Sequence, residues 1–221
     1  LGYNFRNKYY ADFGGAVIHS AKLAPGHRNA FSPSLTLGWK LSNESFLENS
    51  PVVDELMLSV SGSILNTDLG IDNYYMYDGY YNQSDGAWWG WRESVSVHST
   101  NSKQGANEDL SFIKRKELSV NLKTSLWNRM ITADASFFVN SIEGKIVTST
   151  TQYPEYFFTY YPTASFRPYI NYDNDRRMGF DFNVNYNKRF GKVDFTAGVT
   201  GTYYTTKATK RDELYQDKYQ Y

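Results

Sequence analysis

The sequence predicts an all-β fold: a transmembrane, antiparallel, up-and-down β-barrel wall of about eight strands, with long extracellular loops and short periplasmic turns. Three observations predict it. Apolar residues recur at every second position, connections alternate between short and long, and the strands are long enough to cross a bilayer.

The elements follow in order. Gly2 to Phe5 is a short strand, and Lys8 to Ser20 places Tyr9, Ala11, Phe13, Gly15 and Val17 on one side. From Phe31 the apolar side is Phe31, Pro33, Leu35, Leu37, Trp39 and Leu41, against Ser32, Ser34, Thr36, Gly38, Lys40 and Ser42. A strand points successive side chains to opposite faces, so such a segment has one oily and one hydrated face. The same pattern runs through Leu56–Ile64, Leu118–Leu126, Ile131–Val139, Met178–Tyr186 and Val193–Tyr203. No apolar set contains a charge. The opposite sets hold Lys40, Glu55, Glu117, Lys123, Asp134, Asp181 and Asp194. Pro33, which lacks a donor, suits a strand start or a bulge near a rim. One short helical turn is expected over Asn43–Glu48, capped by Ser42 or Asn43.

The links at Arg6–Lys8, Trp127–Arg129 and Asn187–Gly191 are tight. Those at Thr67–Ile113 and Ile142–Arg176 are long, with Ala21–Asn29 and Asn43–Val52 between these extremes. If the strands run up and down, the tight links share one rim and the longest share the other, as in outer-membrane barrels. The predicted strands run roughly 11–13 residues, against about 5–6 in soluble sheets; a tilted membrane crossing needs about 9–11. Tyr9, Trp39, Trp127 and Tyr203 near strand ends suit an interfacial aromatic girdle. The alternatives are a soluble or surface carbohydrate-binding β-sandwich and a small OmpA-like barrel that closes by itself.

Composition narrows the function classes. In 221 residues, 23 Lys and Arg balance 23 Asp and Glu, so nothing favours nucleic acid as a partner. With no Cys there is neither a disulfide framework nor a thiolate site. No GxSxG, Walker A, GxGxxG or HExxH pattern occurs, and no enzyme activity is expected. The mean hydropathy of −0.58 is compatible with a barrel, whose strands are polar at every second residue.

The stretch FSPSLTLGWKLSNESFL, Phe31 to Leu47, resembles a segment of SusC/RagA-type TonB-dependent outer-membrane transporters. VDELMLSVSGSILNTDLGIDNYY (Val53–Tyr75) follows it as in that family. ELSVNLKTSLWNRMITADASFFVNSIEGKIV (Glu117–Val147) and MGFDFNVNYNKRFGKVDFTAGVTGTYYTTK (Met178–Lys207) resemble two of its hairpins. Two loops depart from the pattern, at IHSAKLAPGHRN and LMLSVSGSILN. The resemblance implies import of glycan oligomers or peptides across the outer membrane of a Gram-negative, Bacteroidetes-like bacterium. It implies a SusD-like surface lipoprotein over the mouth and energy from the TonB complex, acting on a plug and N-terminal regions absent from residues 1–221. These residues then form part of a single barrel domain.

Candidate sites concentrate in the long loops. Tyr74, Tyr75, Tyr77, Tyr80, Tyr81, Trp88, Trp89 and Trp91 form an aromatic cluster suited to sugars, peptides or a lid subunit, or to packing among themselves. Tyr153, Tyr156, Phe157, Phe158, Tyr160 and Tyr161 repeat the pattern. Asp68 with Asp72, or Asp173 with Asp175, are the carboxylate pairs for Ca²⁺ to consider. Neither completes an EF-hand spacing, so turn capping is the preferred reading and no cofactor or metal is expected. His19, His27 and His98 are too dispersed in the chain to suggest a site.

Overall fold

The computed structural model describes the chain except residues 83–87, 93–94, 99, 150, 154–157, 161–162 and 213–221. For strand residues 88–92, 95–98, 158–160 and 163–164 the backbone alone is described. The strands are β1 (Gly2–Phe5), β2 (Tyr9–His19), β3 (Asn29–Lys40), β4 (Val53–Thr67), β5 (Tyr80–Asn82), β6 (Trp88–Arg92), β7 (Val95–His98), β8 (Asn101–Gln104), β9 (Ile113–Leu126), β10 (Ile131–Thr148), β11 (Phe158–Tyr160), β12 (Thr163–Ser165), β13 (Tyr169–Phe190) and β14 (Val193–Lys210). Eight of them form one antiparallel sheet in the order β1-β2-β3-β4-β9-β10-β13-β14. Every neighbour in that sheet is also the next long strand in the chain. Three two-stranded ribbons, β5-β8, β6-β7 and β11-β12, decorate the long loops.

Register aligns the alternating pattern across strands. One row runs Ala11–Leu37–Val60–Val120–Phe137–Phe180–Tyr203. The adjacent row on the other face runs Thr36–Ser61–Ser119–Phe138–Gly179–Tyr204. A slip of one residue would exchange the faces, so the pattern and the pairing specify each other. The apolar rows stay exposed: Val120 is 39% accessible, Phe137 52% and Phe180 47%. Among the described residues no second sheet covers them, which removes the sandwich alternative. Nor is β1 paired to β14, which a self-closing eight-stranded barrel requires.

The tight turns are formed by left-handed residues. Arg6 and Asn7 both have φ near 54°, a two-residue hairpin whose twist matches the strands. Trp127, Asn128 and Arg129 join β9 to β10 in the same region, and Gly191, at φ 62°, joins β13 to β14. Asp54 accepts a hydrogen bond from the Arg129 amide at 2.9 Å, and Trp127 donates to the Val52 carbonyl at 2.8 Å, tying neighbouring turns together.

Three expectations need correction. The strands of the main sheet are less uniform than predicted, from 4 residues in β1 and 11 in β2 to 22 in β13. The link expected at Ile142–Arg176 shortens to 149–168, because β10 continues to Thr148 and β13 starts at Tyr169. Gly144, at φ 72°, lies at a bulge that breaks the alternation there. The helical turn is a 3-10 turn at Leu41–Asn43 with no side-chain cap; Glu44 carbonyl bonds to Leu47 and Glu48 continue the turning path. Pro33 lies inside β3, just beyond Ser34↔Ser63, the last β3–β4 pair, so its missing donor breaks no rung there.

Candidate functional site

The molecule offers three functional regions: a loop cap, an inner polar wall and a short-turn rim. The cap contains the buried apolar cluster. Leu23, Ile71 and Leu110 are fully buried, with Met76 and Phe112 nearly so, and Ile18, Ala30, Tyr77, Ile146 and Tyr169 pack around them. Loops β2–β3 and β4–β9 therefore share one core, flanked by the cap-side ends of β2, β3, β10 and β13. Side chains satisfy their irregular backbones. Lys22 donates to the Ile71 carbonyl at 2.8 Å, and Arg28 to that of Leu23 at 2.8 Å. Asn107 donates to the Tyr169 carbonyl at 2.7 Å, and Ser102 to that of Ser165 at 2.8 Å. Asn171 donates to both Ser111 and Gly144 carbonyls.

This core divides the predicted aromatic cluster. Tyr77 packs inward, whereas Tyr74, Tyr75, Tyr80 and Tyr81 are exposed, with Tyr74 at 64% and Tyr75 at 66%. Tyr75 has φ 64°, an uncommon conformation for a bulky residue, and its ring lies 6.1 Å from that of Tyr77. Trp88, Trp89 and Trp91 lie on β6, and their side chains are outside the described set, as are those of Phe158 and Tyr160. Tyr156, Phe157 and Tyr161 fall wholly outside the described residues.

Three of the four carboxylates weighed for Ca²⁺ have other partners. Asp175 is bonded to Lys145 and Arg211, and Asp173 to Arg211 and the Asp212 amide. Asp68 accepts from Ser20 at 2.7 Å. His19 bonds to Asn29, and His27 lies 3.8 Å from Asp109.

The inner wall carries a recess of about 500 Å³ lined by Asn121, Lys123, Asp134, Ser136, Asp181 and Asn183, among others. Ser136 donates to Asn121 at 2.7 Å, and Thr36 and Ser61 share a bond of 3.0 Å. The charges of Lys123, Asp134 and Asp181 were legible on the polar side of each strand, but the recess depends on five strands meeting in register.

At the short-turn rim, Tyr9 and Trp39 stand opposite each other with rings stacked 6.3 Å apart. Glu44 collects three donors: Tyr9 Oη at 2.8 Å, Lys8 Nζ at 3.1 Å and Trp39 Nε1 at 3.1 Å. The Tyr9 bond first, then those from Lys8 and Trp39, hold its carboxyl below the ordinary glutamate range. Sequence reasoning did not single out Glu44; its only signal was its place in the Gly38-Trp39…Glu44 stretch. Of the other girdle residues, Trp127 lies in a tight turn, and Tyr203 lies along β14 with its ring 5.8 Å from Phe180.

Two-faced strands in an up-and-down order, with tight turns at one end and a folded loop cap at the other, define the wall of a transmembrane-type β-barrel. No family model matches the sequence, and no curated protein matches it. Solved structures do. The structure of the RagAB peptide importer in the closed-closed state matches with TM-score 0.71 at 18% identity, over 95% of this chain and 21% of that chain. The structure of the RagAB peptide transporter gives the same values. The open-open state of the importer gives TM-score 0.73 at 17% identity, again over 95% of this chain and 21% of that one. The chain thus shares its fold with a 21% portion of transporter chains, and these neighbours are transporters rather than enzymes.

Proposed function

We propose that this chain forms wall and outer loops of a TonB-dependent nutrient importer in the outer membrane of a Gram-negative bacterium. The observation that carries the reading is the exposure of aligned apolar rows on one face of a sheet whose other face is polar. Hydrocarbon satisfies the first face, and a hydrated interior satisfies the second. Backbone groups in hydrocarbon must be paired, so further strands continue the wall at β1 and β14. The likeness to the RagAB peptide importer favours peptides over glycans as cargo. Plug and TonB contacts belong to regions outside residues 1–221. A SusD-like surface lipoprotein sits over the cap and touches Tyr74, Tyr75, Tyr80 and Tyr81.

Membrane extraction tests the reading. The protein should leave outer membranes only with detergent and migrate differently in gels before and after heating; a monodisperse protein in plain buffer would overturn it. Growth on peptides or oligosaccharides as sole nutrient, with and without the gene, distinguishes the cargo. Deleting Tyr74 to Trp91 should weaken co-purification of the lipoprotein, and unchanged co-purification would remove that partner contact.

A further inference from the structure

We infer that Lys114, Lys116, Arg176, Lys207 and Lys210 form a lipid-facing cationic belt that seats the phosphate-bearing headgroup of an anionic glycolipid. The inference rests on reading the apolar rows as membrane-facing, and it adds a ligand and a site to that reading.

Register brings the belt together. Past the row Gly62–Leu118–Val139–Met178–Thr205, the next row on the same face is Ile64–Lys116–Ser141–Arg176–Lys207. Lys114 follows Lys116 on that face of β9, opposite Glu143. Lys210 resumes beyond the bulge at Asn174/Asp175, with its ammonium 3.7 Å from the centroid of the Tyr172 ring. The oily face thus turns basic within one row on β9, β13 and β14, with β10 contributing Ser141 and Glu143 between them. From the short-turn rim the change comes about 10 residues along β9 and β10 and about 14 along β13 and β14, enough for one tilted membrane crossing. Tyr203, an interfacial type of residue, lies two rows below Lys207 toward that rim.

Of the five belt charges one is taken up internally, and among the described residues Lys114, Arg176, Lys207 and Lys210 have no acidic partner. Glu143 is the acid within the belt, and it pairs with Lys116. Asp173 and Asp175 bond to Arg211 and Lys145 instead. Arg176 and Lys207 stand directly opposite each other, a like-charge pair that destabilises a sheet unless an anion bridges it. Among the described residues neither has an acidic partner. A guanidinium beside several ammonium groups matches a phosphate with several acceptor oxygens. The occupant is a lipid because the belt continues the oily rows: a molecule whose tails lie on Leu118 and Met178 brings its headgroup to Lys116 and Arg176.

The test uses the full chain, with wild type compared to a variant carrying Lys114→Gln, Lys116→Gln, Arg176→Gln, Lys207→Gln and Lys210→Gln. Both are placed in nanodiscs of phosphatidylcholine with or without lipid A, and lipid A retained per protein is measured after detergent exchange. Each lost charge should weaken retention about fivefold. The swap Arg176→Lys with Lys207→Arg should retain wild-type levels, and excess inorganic phosphate should displace little. Equal retention by variant and wild type overturns the belt while leaving the barrel intact. Ready displacement by inorganic phosphate overturns the headgroup assignment. Failure of both proteins to enter phosphatidylcholine nanodiscs overturns the membrane reading and the belt together. If the fivefold variant alone fails to insert, Arg176→Gln and Lys207→Gln measured singly decide the question by the same readout.

Discussion

The wall and the loop cap place their apolar residues in opposite ways. In the cap, Leu23, Ile71 and Leu110 are sealed from solvent by residues of two different loops and of the strand ends beside them. In the wall, Val120, Phe137 and Phe180 line up across strands and remain open on their outer side. The cap is stabilised like a small soluble domain, by burying its own apolar surface. The wall relies on hydrogen-bonded pairing and on a surrounding apolar medium. One chain thus contains two stabilities that respond to different conditions.

Substitutions that act on one region alone test this separation. The largest effect is expected from Phe112→Ala, which should cost the cap about 3–5 kcal/mol. Limited proteolysis in detergent should then cut the long loops faster while gel mobility of the wall is unchanged; equal loss of both would merge the two regions into one cooperative unit. Val120→Arg should cost the wall about 2–4 kcal/mol in a bilayer. Ser119→Arg, one residue away on the inner face, should stay within about 0.5 kcal/mol. Unfolding in vesicles measures both, and similar costs would remove the distinction between faces. Gly191→Ala, at a left-handed φ with open space around it, should cost about 1–2 kcal/mol by the same assay, with cap proteolysis unaltered.

The smallest effect concerns Glu44. Its carboxyl is held below the ordinary range, so its contribution to stability is fully present above the unfolded value near 4.5. That contribution is lost as pH falls through the lower folded value. Wild type should therefore exceed Glu44→Gln in stability at neutral pH, and the two should converge in acid. A difference that persists in strong acid would show that the Glu44 charge is not the cause.

The wall was legible in the sequence because alternation is local: each strand announces its two faces without knowledge of its partners. Prediction failed where alternation fails, at Gly144 and along Asp173 and Asp175, whose ion pairs draw β10 and β13 beyond their apolar rows. The cap was legible only as an aromatic cluster. Tyr77 inside and Tyr75 outside have the same side chain, and only contacts with Leu23 or Leu110, distant in the chain, separate them. The Glu44 cluster and the belt were hidden for the same reason, since both are made by register between strands.

The order of the sheet also has a consequence in time. Each long strand needs only its predecessor as a template, so the wall can grow edge by edge as a series of hairpins. Leu23, Ile71 and Leu110 come from segments far apart in the chain, and distant contacts are slow to form. Leu110 and Phe112 immediately precede β9, and Ile146 and Tyr169 on β10 and β13 complete the packing, so a wall assembled only as far as β4 leaves Leu23 without its partners.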